Sequence, residues 1–565
     1  MVNNQDLINQ LSQTIGKRNV LTNKRSTRRF LTGFRSGSGE AIAVVRPNTL
    51  VEMWQALGLC VKAGKAVIFQ AANTGLTGGS TPDGHYDRDI VLINTQRIRT
   101  IHTLNQGQQI VALPGASLFE LEKILQPINR QPHSVIGSSC IGASVIGGVC
   151  NNSGGSLVER GPAYTEMSLF AQVTAAGEIE LINHLGIELG NTPEQILSNV
   201  EAGNFDQYQQ MSAANASDTK YPNIVREVEA STPARFNADK RCLHESSGCG
   251  GKLAVFAVRL DTFPTNKLSK TFYIGTNDPH DLTAIRHRIL KGFKALPVSA
   301  EYMHRDCFNI SEKYGKDTVV MIDLLGTDKL PIFFAIKGAI DSRLNRLPLF
   351  HGFTDKFMQV LSSLWPRILP KRLYDYRNKF EHHLILKMAD GGIAEAQQLL
   401  PSLLNKNDAS YFECTPKEAQ MASLNRFAAA GAAIRYAAVH KDEVEDVLAL
   451  DIALPRNSVD WFEKLPEEIS SKLHHSLYYG HFMCHVLHQD YIVKKNQDST
   501  AIKQAMLQLL DQRGAEYPAE HNVGHQYVAK PDLAAFYKSI DPSNTLNPGI
   551  GKMSKRKDYA PSRTE

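Results

Sequence analysis

No two of the eight cysteines in this 565-residue chain form a C-x-x-C pair. Scattered thiols exclude a zinc knuckle or a dense disulfide framework and suit a reducing compartment; a haem-attaching C-x-x-C-H is also absent. Long apolar runs are missing. The most tempting, FAAAGAAI, lies between Arg426 and Arg435 and falls far short of the ~18 residues a membrane span needs. The amino-terminal MVNNQDLINQLSQTIGKRNV has Leu and Ile at helical spacing but no signal-peptide core. Charge of one sign is scarce as well: 62 Lys and Arg against 57 Asp and Glu leave +5, so a charge-steered partner must meet a local patch. No G-x-G-x-x-G opens a helix after the first strand-like run, and no G-K-[ST] occurs, which removes the main support for a Rossmann fold or a nucleoside-triphosphate loop.

What remains is an ordinary globular composition, 42% hydrophobic and 21% charged, with length for three or four domains of roughly 150 residues. Residues 40–270 alternate short strand-like runs (AVIF, DIVLI, QIVAL, LAVFAVRL) with helix-like pieces, an α+β or α/β pattern. Residues 191–240 read as an irregular, partly helical insertion, and a second unit begins near SKTFYIGTND and resumes at HHLILKM. Two loops concentrate glycine. QAANTGLTGGSTPDG (70–84) follows AVIF with four, and HSVIGSSCIGASVIGGVCNNSGGSLVERG (133–161) holds seven. Such loops let backbone N–H groups approach an anionic ligand, and two of them suggest an extended ligand with a pyrophosphate; tight turns in a glycine-rich scaffold are the competing reading.

Residues 337–387 stand apart. They carry ten Lys or Arg against four acids, a local +6 that exceeds the whole chain's +5, interleaved with Phe350, Phe353, Phe357, Trp365, Tyr374 and Tyr376. This mixture suits an anionic lipid surface. A solvated basic face competes with that reading; nucleic acid is disfavoured because no recognised module accompanies the patch. Further on, His481, His485 and His488 cluster in YYGHFMCHVLHQDY, and Glu520, His521 and His525 in YPAEHNVGH. Histidines with a carboxylate fit metal ligation, acid–base chemistry or satisfied structural roles.

The segments VVRPNTLVEMWQAL, AANTGLTGGSTP and IVALPGASLFELEKIL resemble flavin-binding domains of the vanillyl-alcohol-oxidase type. More narrowly, HSVIGSSCIGASVIGGVCNNSGG, GPAYTEMSLFA, ESSGCGGKLAVFAVRLDTF, EYMHRDCF, HNVGH and NPGIGK resemble the bacterial quinone-dependent D-lactate dehydrogenases, from about residue 10 to 558. The resemblance implies an α+β, two-subdomain flavin-binding fold with an α/β cap and a basic membrane-binding insertion. The expected parts are a flavin domain over 1–268, cap over 269–305, membrane-binding segment over 306–387, cap over 388–514, and a return to the flavin domain over 515–565.

Noncovalent FAD is expected at Ala71, Ala72, Asn73, Thr74, Gly75, Gly79 and Ser80, at Gly137, Ser144 and Gly154, and at Val255. The first loop has no histidine for a covalent tether. By resemblance to FAD-linked 2-hydroxy-acid dehydrogenases, His481, His488 and Glu520 would hold a divalent metal such as zinc and His521 would be the base. The glycine-rich stretch usual between the two histidines is replaced here by Phe482 to Leu487, which leaves occupancy open. Arg35 and Arg435 are candidates for the substrate carboxylate, and Tyr302 and His304 for lining the pocket; structural arginines compete at both sites. The implied activity is oxidation of D-lactate to pyruvate, with ubiquinone or menaquinone as acceptor. It would take place at the cytoplasmic face of a bacterial inner membrane, where 337–387 holds the protein peripherally on anionic phospholipid. The alternatives are another D-2-hydroxy acid such as D-2-hydroxyglutarate or glycolate, oxygen as acceptor, or a noncatalytic lipid- or nucleic-acid-binding protein.

Overall fold

A computed structural model describes residues 3–134, 142–205, 214–325, 353–404 and 408–561. Its first sheet contains β1 (Val20–Leu21), β2 (Ala43–Val45), β3 (Ala66–Gln70) and β4 (Ile90–Asn94) in the order β1-β2-β4-β3, with β2, β4 and β3 parallel. Parallel strands need a crossover, here from β2 to β3 on the far side of β4. Helix Leu50–Lys62 supplies it, capped by the Thr49 side chain and burying Leu50, Met53, Ala56, Leu57 and Cys60 on one face. The first glycine loop leaves the carboxyl end of β3, where open sheets with parallel strands present ligands.

The second sheet is antiparallel: β5 (Ile101–Leu104), β6 (Gln109–Ala112), β8 (Ser168–Val173), β9 (Ile179–Asn183) and β10 (Ala254–Asp261) in the order β5-β6-β10-β8-β9. β7 (Arg130–Gln131) pairs separately with β11 (Phe263–Pro264). The insertion expected over 191–240 contains helices Pro193–Ala202 and Tyr221–Arg226.

The third sheet has seven strands: β12 (Ser269–Thr276), β13 (Ser299–His304), β14 (His382–Ala389), β15 (Ala409–Glu413), β16 (Val444–Ala453), β17 (Leu473–His481) and β18 (Val486–Lys494), ordered β15-β12-β14-β13-β17-β18-β16. All six pairings are antiparallel, and helices pack against both faces of this layer. Strand parity divides its side chains between two cores. Leu384 and Leu386 pack with Leu282, Ile285 and Ile289 of helix Pro279–Gly292, whereas Ile385 packs with Phe308 of helix Arg305–Tyr314 and with Ala432 and Ala433 of helix Ala429–Val439.

The basic stretch is not one unit. Its end, His382–Ala389, is an interior sheet strand. Helix Lys371–Lys379 buries Leu373 and Tyr374, and Arg372 is paired with Glu418. Helix Phe353–Ser363 and the turn after it expose apolar side chains instead, including Phe357, Val360, Leu364 and Trp365. Residues 337–352 lie outside the described part. No helix among the described residues is long and apolar enough to cross a membrane.

After the third sheet the chain returns to the first. Val67 of β3 donates its N–H to Thr545 O (3.0 Å) and accepts from Asn547 N–H (2.9 Å). Asn544 and Asn547 take positive φ, which asparagine tolerates better than most residues. The buried Lys252 ammonium donates to Asn544 Oδ1 at 2.6 Å, and Asn547 Nδ2 donates to both Gly79 O and Gly250 O at 2.8 Å.

Candidate active site

Ala71 to Gly75, Gly79, Ser80, Ser144, Gly154 and Val255 line one cavity of about 2080 Å3 between the first two sheets and the third. Gly137 lies outside the described residues. The first loop is braced from beneath: Asn73, with φ 55°, donates to Thr32 O at 2.9 Å and accepts from Ser80 Oγ at 3.0 Å. A Cβ added at Gly75 would meet nothing within 4 Å, so this glycine borders open space. Ser144 caps helix Val145–Cys150 by accepting from Gly147 N–H at 3.0 Å.

The third sheet supplies the cavity's polar wall. His481 and His488 lie on neither one strand nor one helix: His481 ends β17, a short turn with His485 at φ 53° reverses the chain, and His488 lies in β18. The register pairs Tyr479 with His488 and His488 with Asp451, while Glu301 pairs with His481. Tyr479, His488 and Asp451 therefore form one row across the sheet, next to Glu301 and His481. Tyr302 and His304 have the opposite parity on β13. Tyr302 is fully buried against Trp461 and Phe482, its hydroxyl 2.8 Å from His382 Nδ1, and neither residue lines the cavity. His485 and His525 are also spent elsewhere, on the carbonyls of Pro455 and of Thr81 and Gly549.

His481, His488 and Glu520 converge, with ligand atoms all within 4.8 Å of one another. Each imidazole has a carboxylate behind it. His481 Nδ1 is 2.6 Å from Glu301 Oε1, and His488 Nδ1 is 3.2 Å from Asp451 Oδ1. Burial would pull the His481 pKa down, but Glu301 and Glu520 outweigh it and raise it to about 10. Burial likewise opposes ionisation of Glu520, yet Arg235 and His481 hold its carboxyl far below the usual range. Arg235 is buried and paired with Glu520. Gly154 makes that pair possible, since a Cβ there would overlap Glu520 Oε1 and lie 2.9 Å from Arg235 Cζ.

His521 follows on the same turn, half-exposed to the cavity, with Nε2 3.8 Å from Asp451 Oδ2. Asp451 also accepts the Glu520 N–H at 2.7 Å, so one carboxylate orders both residues. Arg426, nearly buried in the cavity wall, pairs with Glu301 at 2.9 Å and stacks over Tyr479 at 4.5 Å. Arg35 sits at an exposed rim beside Phe34. Arg435 lies on helix Ala429–Val439, 2.9 Å from Asp317. Asp451, Arg235 and Arg426 had no motif of their own to announce them, and Glu301 opens EYMHRDCF, where Tyr302 and His304 were singled out instead.

A family model described as "FAD binding domain" matches residues 41–181, and one described as "D-lactate dehydrogenase, membrane binding" matches residues 271–559. The chain is similar to the quinone-dependent D-lactate dehydrogenase of Escherichia coli, 57% identical over 559 residues and 98% of each chain. It is 55% identical over 561 residues to that of Haemophilus influenzae, covering 98% of this chain and 99% of the other. The solved structure of p-cresol methylhydroxylase covers 97% of each chain at 10% identity with a TM-score of 0.56, a likeness of fold alone. The fold and the first match define an FAD-binding flavoprotein of the vanillyl-alcohol-oxidase type. Within that class, the chain belongs to the quinone-dependent D-lactate dehydrogenases.

Proposed function

We propose that this protein oxidises D-lactate to pyruvate and passes the electrons to a membrane quinone. The observation that carries the chemistry is the convergence of His481, His488, Glu520 and His521 on a cavity also lined by both glycine loops. Noncovalent FAD, cradled by Ala71–Gly75, Gly79, Ser80, Gly137, Ser144, Gly154 and Val255, supplies the hydride acceptor when bound. His521 takes the proton of the substrate hydroxyl as the hydride leaves C2, and Asp451 steadies the resulting imidazolium. Lactate minus one hydride and one proton is pyruvate, so the step balances.

The His481–His488–Glu520 donor set fits a divalent cation such as zinc. Two imidazoles and a carboxylate, each imidazole backed by its own acid, form a common ligand arrangement for that ion. The cation would polarise the hydroxyl and ease its deprotonation. Arg426 is the best placed of the arginines for the substrate carboxylate, because Glu301 joins it directly to His481, whereas Arg35 guards the rim.

The protein docks peripherally on anionic phospholipid at the cytoplasmic face of the inner membrane. Support comes from the +6 composition of 337–387 and from the exposed apolar side of helix Phe353–Ser363. The flavin domain split across 1–268 and 515–565 is retained as part of this reading, and strand His382–Ala389 is counted with the cap rather than with the membrane-binding segment.

The decisive test is an anaerobic absorbance spectrum of the purified holoenzyme before and after substrate. D-lactate should bleach the flavin band and L-lactate should not; a spectrum changed only by D-2-hydroxyglutarate or glycolate would reassign the substrate.

A further inference from the structure

Single-ligand pockets usually enclose about 300–1,000 Å3, and the cavity encloses about 2080 Å3. Part of its wall lies far in sequence from the glycine loops and the histidines: helix Ala429–Val439, the end of helix Pro416–Phe427, and Thr318 and Ile322 of helix Lys316–Leu325.

Phe427, Gly431, Ile434, Ala438 and Lys441 recur at spacings of three and four, so they share one side of the helical run. All five line the cavity, and Phe427 and Ile434 remain 39% and 43% exposed. The opposite side of helix Ala429–Val439, with Ala432, Ala433 and Tyr436, is buried with Phe308 and Tyr314. The helix thus has one satisfied face and one apolar face turned to open space. Near its start a Cβ added to Gly431 would meet nothing within 4 Å, which leaves room for a flat group. Among the cations of this wall, Arg435 is held by Asp317 at 2.9 Å.

The same wall reaches the surface on the membrane-binding side. Helix Phe353–Ser363 packs against both helix Lys316–Leu325 and helix Ala429–Val439. There Leu324, Val360 and Leu364 are 73%, 61% and 76% exposed. An apolar surface and an apolar cavity wall are therefore joined through three packed helices, one end where a lipid would be and the other in the flavin cavity.

We propose that the groove formed by helix Ala429–Val439 with Phe427, Thr318 and Ile322 is the quinone site. The ring lies over Gly431 and Ile434, with the isoprenoid tail leaving toward Val360 and Leu364. The inference rests on the activity proposed above and adds where its second half occurs. The hydride-reduced FAD gives two electrons and one proton to the quinone, the proton that His521 took from the substrate returns through solvent as the second, the carbonyl oxygens become hydroxyls, and FAD and His521 are left as they began. Arg435 offers N–H donors to one of those oxygens while Asp317 retains it.

Two variants of the FAD-loaded enzyme test the site. Gly431→Trp fills the groove from a position with free space, and Ile434→Glu makes an exposed position charged; both should leave the fold intact by circular dichroism. In each, the KM for decylubiquinone should rise at least ten-fold, while anaerobic bleaching by D-lactate and steady-state reduction of ferricyanide keep the parent rates. Quinone kinetics within two-fold of the parent in both variants would overturn the proposal. So would loss of vesicle-stimulated activity with an unchanged decylubiquinone KM, because the groove would then hold a phospholipid chain. If D-lactate fails to bleach the parent flavin, the activity reading fails instead, and the two failures are distinguished by which half-reaction is lost.

Discussion

Glu520 is fixed from three sides: Asp451 holds its backbone, Arg235 one carboxylate oxygen, and His481 lies 3.4 Å from the other. Gly154 is the weak point of this arrangement, because its missing side chain is the space the pair occupies. Gly154→Ala should displace Glu520 and slow D-lactate-driven flavin reduction at least ten-fold in stopped-flow measurements. Arg235→Met leaves the buried carboxylate without its strongest partner, a change that typically costs about 3–5 kcal/mol, and should lower the thermal midpoint. Arg426→Lys keeps the charge but loses the planar fork that matches a carboxylate. It should raise the KM for D-lactate about ten-fold or more with a smaller effect on kcat.

These residues also mark where sequence reading succeeds and stops. His481, His488, Glu520 and His521 were legible because two short motifs keep their internal spacing. Arg235, Arg426 and Asp451 were not, and Glu301 was passed over within EYMHRDCF, because each acquires its role only when strand register or a loop crossing sets it beside a histidine or its partners. Tyr302 and His304 were misplaced for a related reason. On β13 the residues of one parity face the cavity and those of the other face a core of Trp461 and Phe482, and composition does not say which is which.

At the scale of elements, the glycine loops could be located because their function removes side chains, which leaves a trace in composition. The β17–β18 hairpin left less trace. Its turn uses Phe482 to His485 where glycine would be usual, and the reversal depends on His485 entering the left-handed region. The basic stretch mixed two jobs that the structure separates: helix Lys371–Lys379 spends Arg372 on Glu418, whereas helix Phe353–Ser363 keeps apolar groups in solvent. Membrane attachment should therefore be lost selectively. Val360→Asp with Leu364→Asp should reduce cosedimentation with anionic vesicles at least five-fold and leave flavin bleaching by D-lactate unchanged. Equal cosedimentation of parent and variant would remove this helix from the lipid contact.

For the whole molecule, acid is the expected weakness. His383 is fully buried, packed by Tyr273 and Phe308 and facing His304, His382 and Arg305. Burial first, then those neighbours, push its pKa down to about 3, and His382 falls to about 3 for similar reasons. A folded-state value below the unfolded one, near 6.5, means that the unfolded chain binds the proton more readily. The stability from each neutral imidazole is then complete above about pH 6.5 and is lost as pH falls toward 3, about 2 kcal/mol per histidine at pH 5. His383→Leu should shift the acid unfolding midpoint, followed by tryptophan fluorescence, to lower pH.

The return of the chain to the first sheet also sets a timetable. Asn547 holds Gly79 O and Gly250 O, and 468 residues separate it from the first of these. At roughly 5–20 residues per second of synthesis, the first loop waits about 25–90 s for that clasp to leave the ribosome. Cofactor capture is in this sense a late event in the life of the nascent chain. A translation product halted between His521 and Asn547 would carry both glycine loops and every histidine of the cluster and still lack the residue that fastens the cradle.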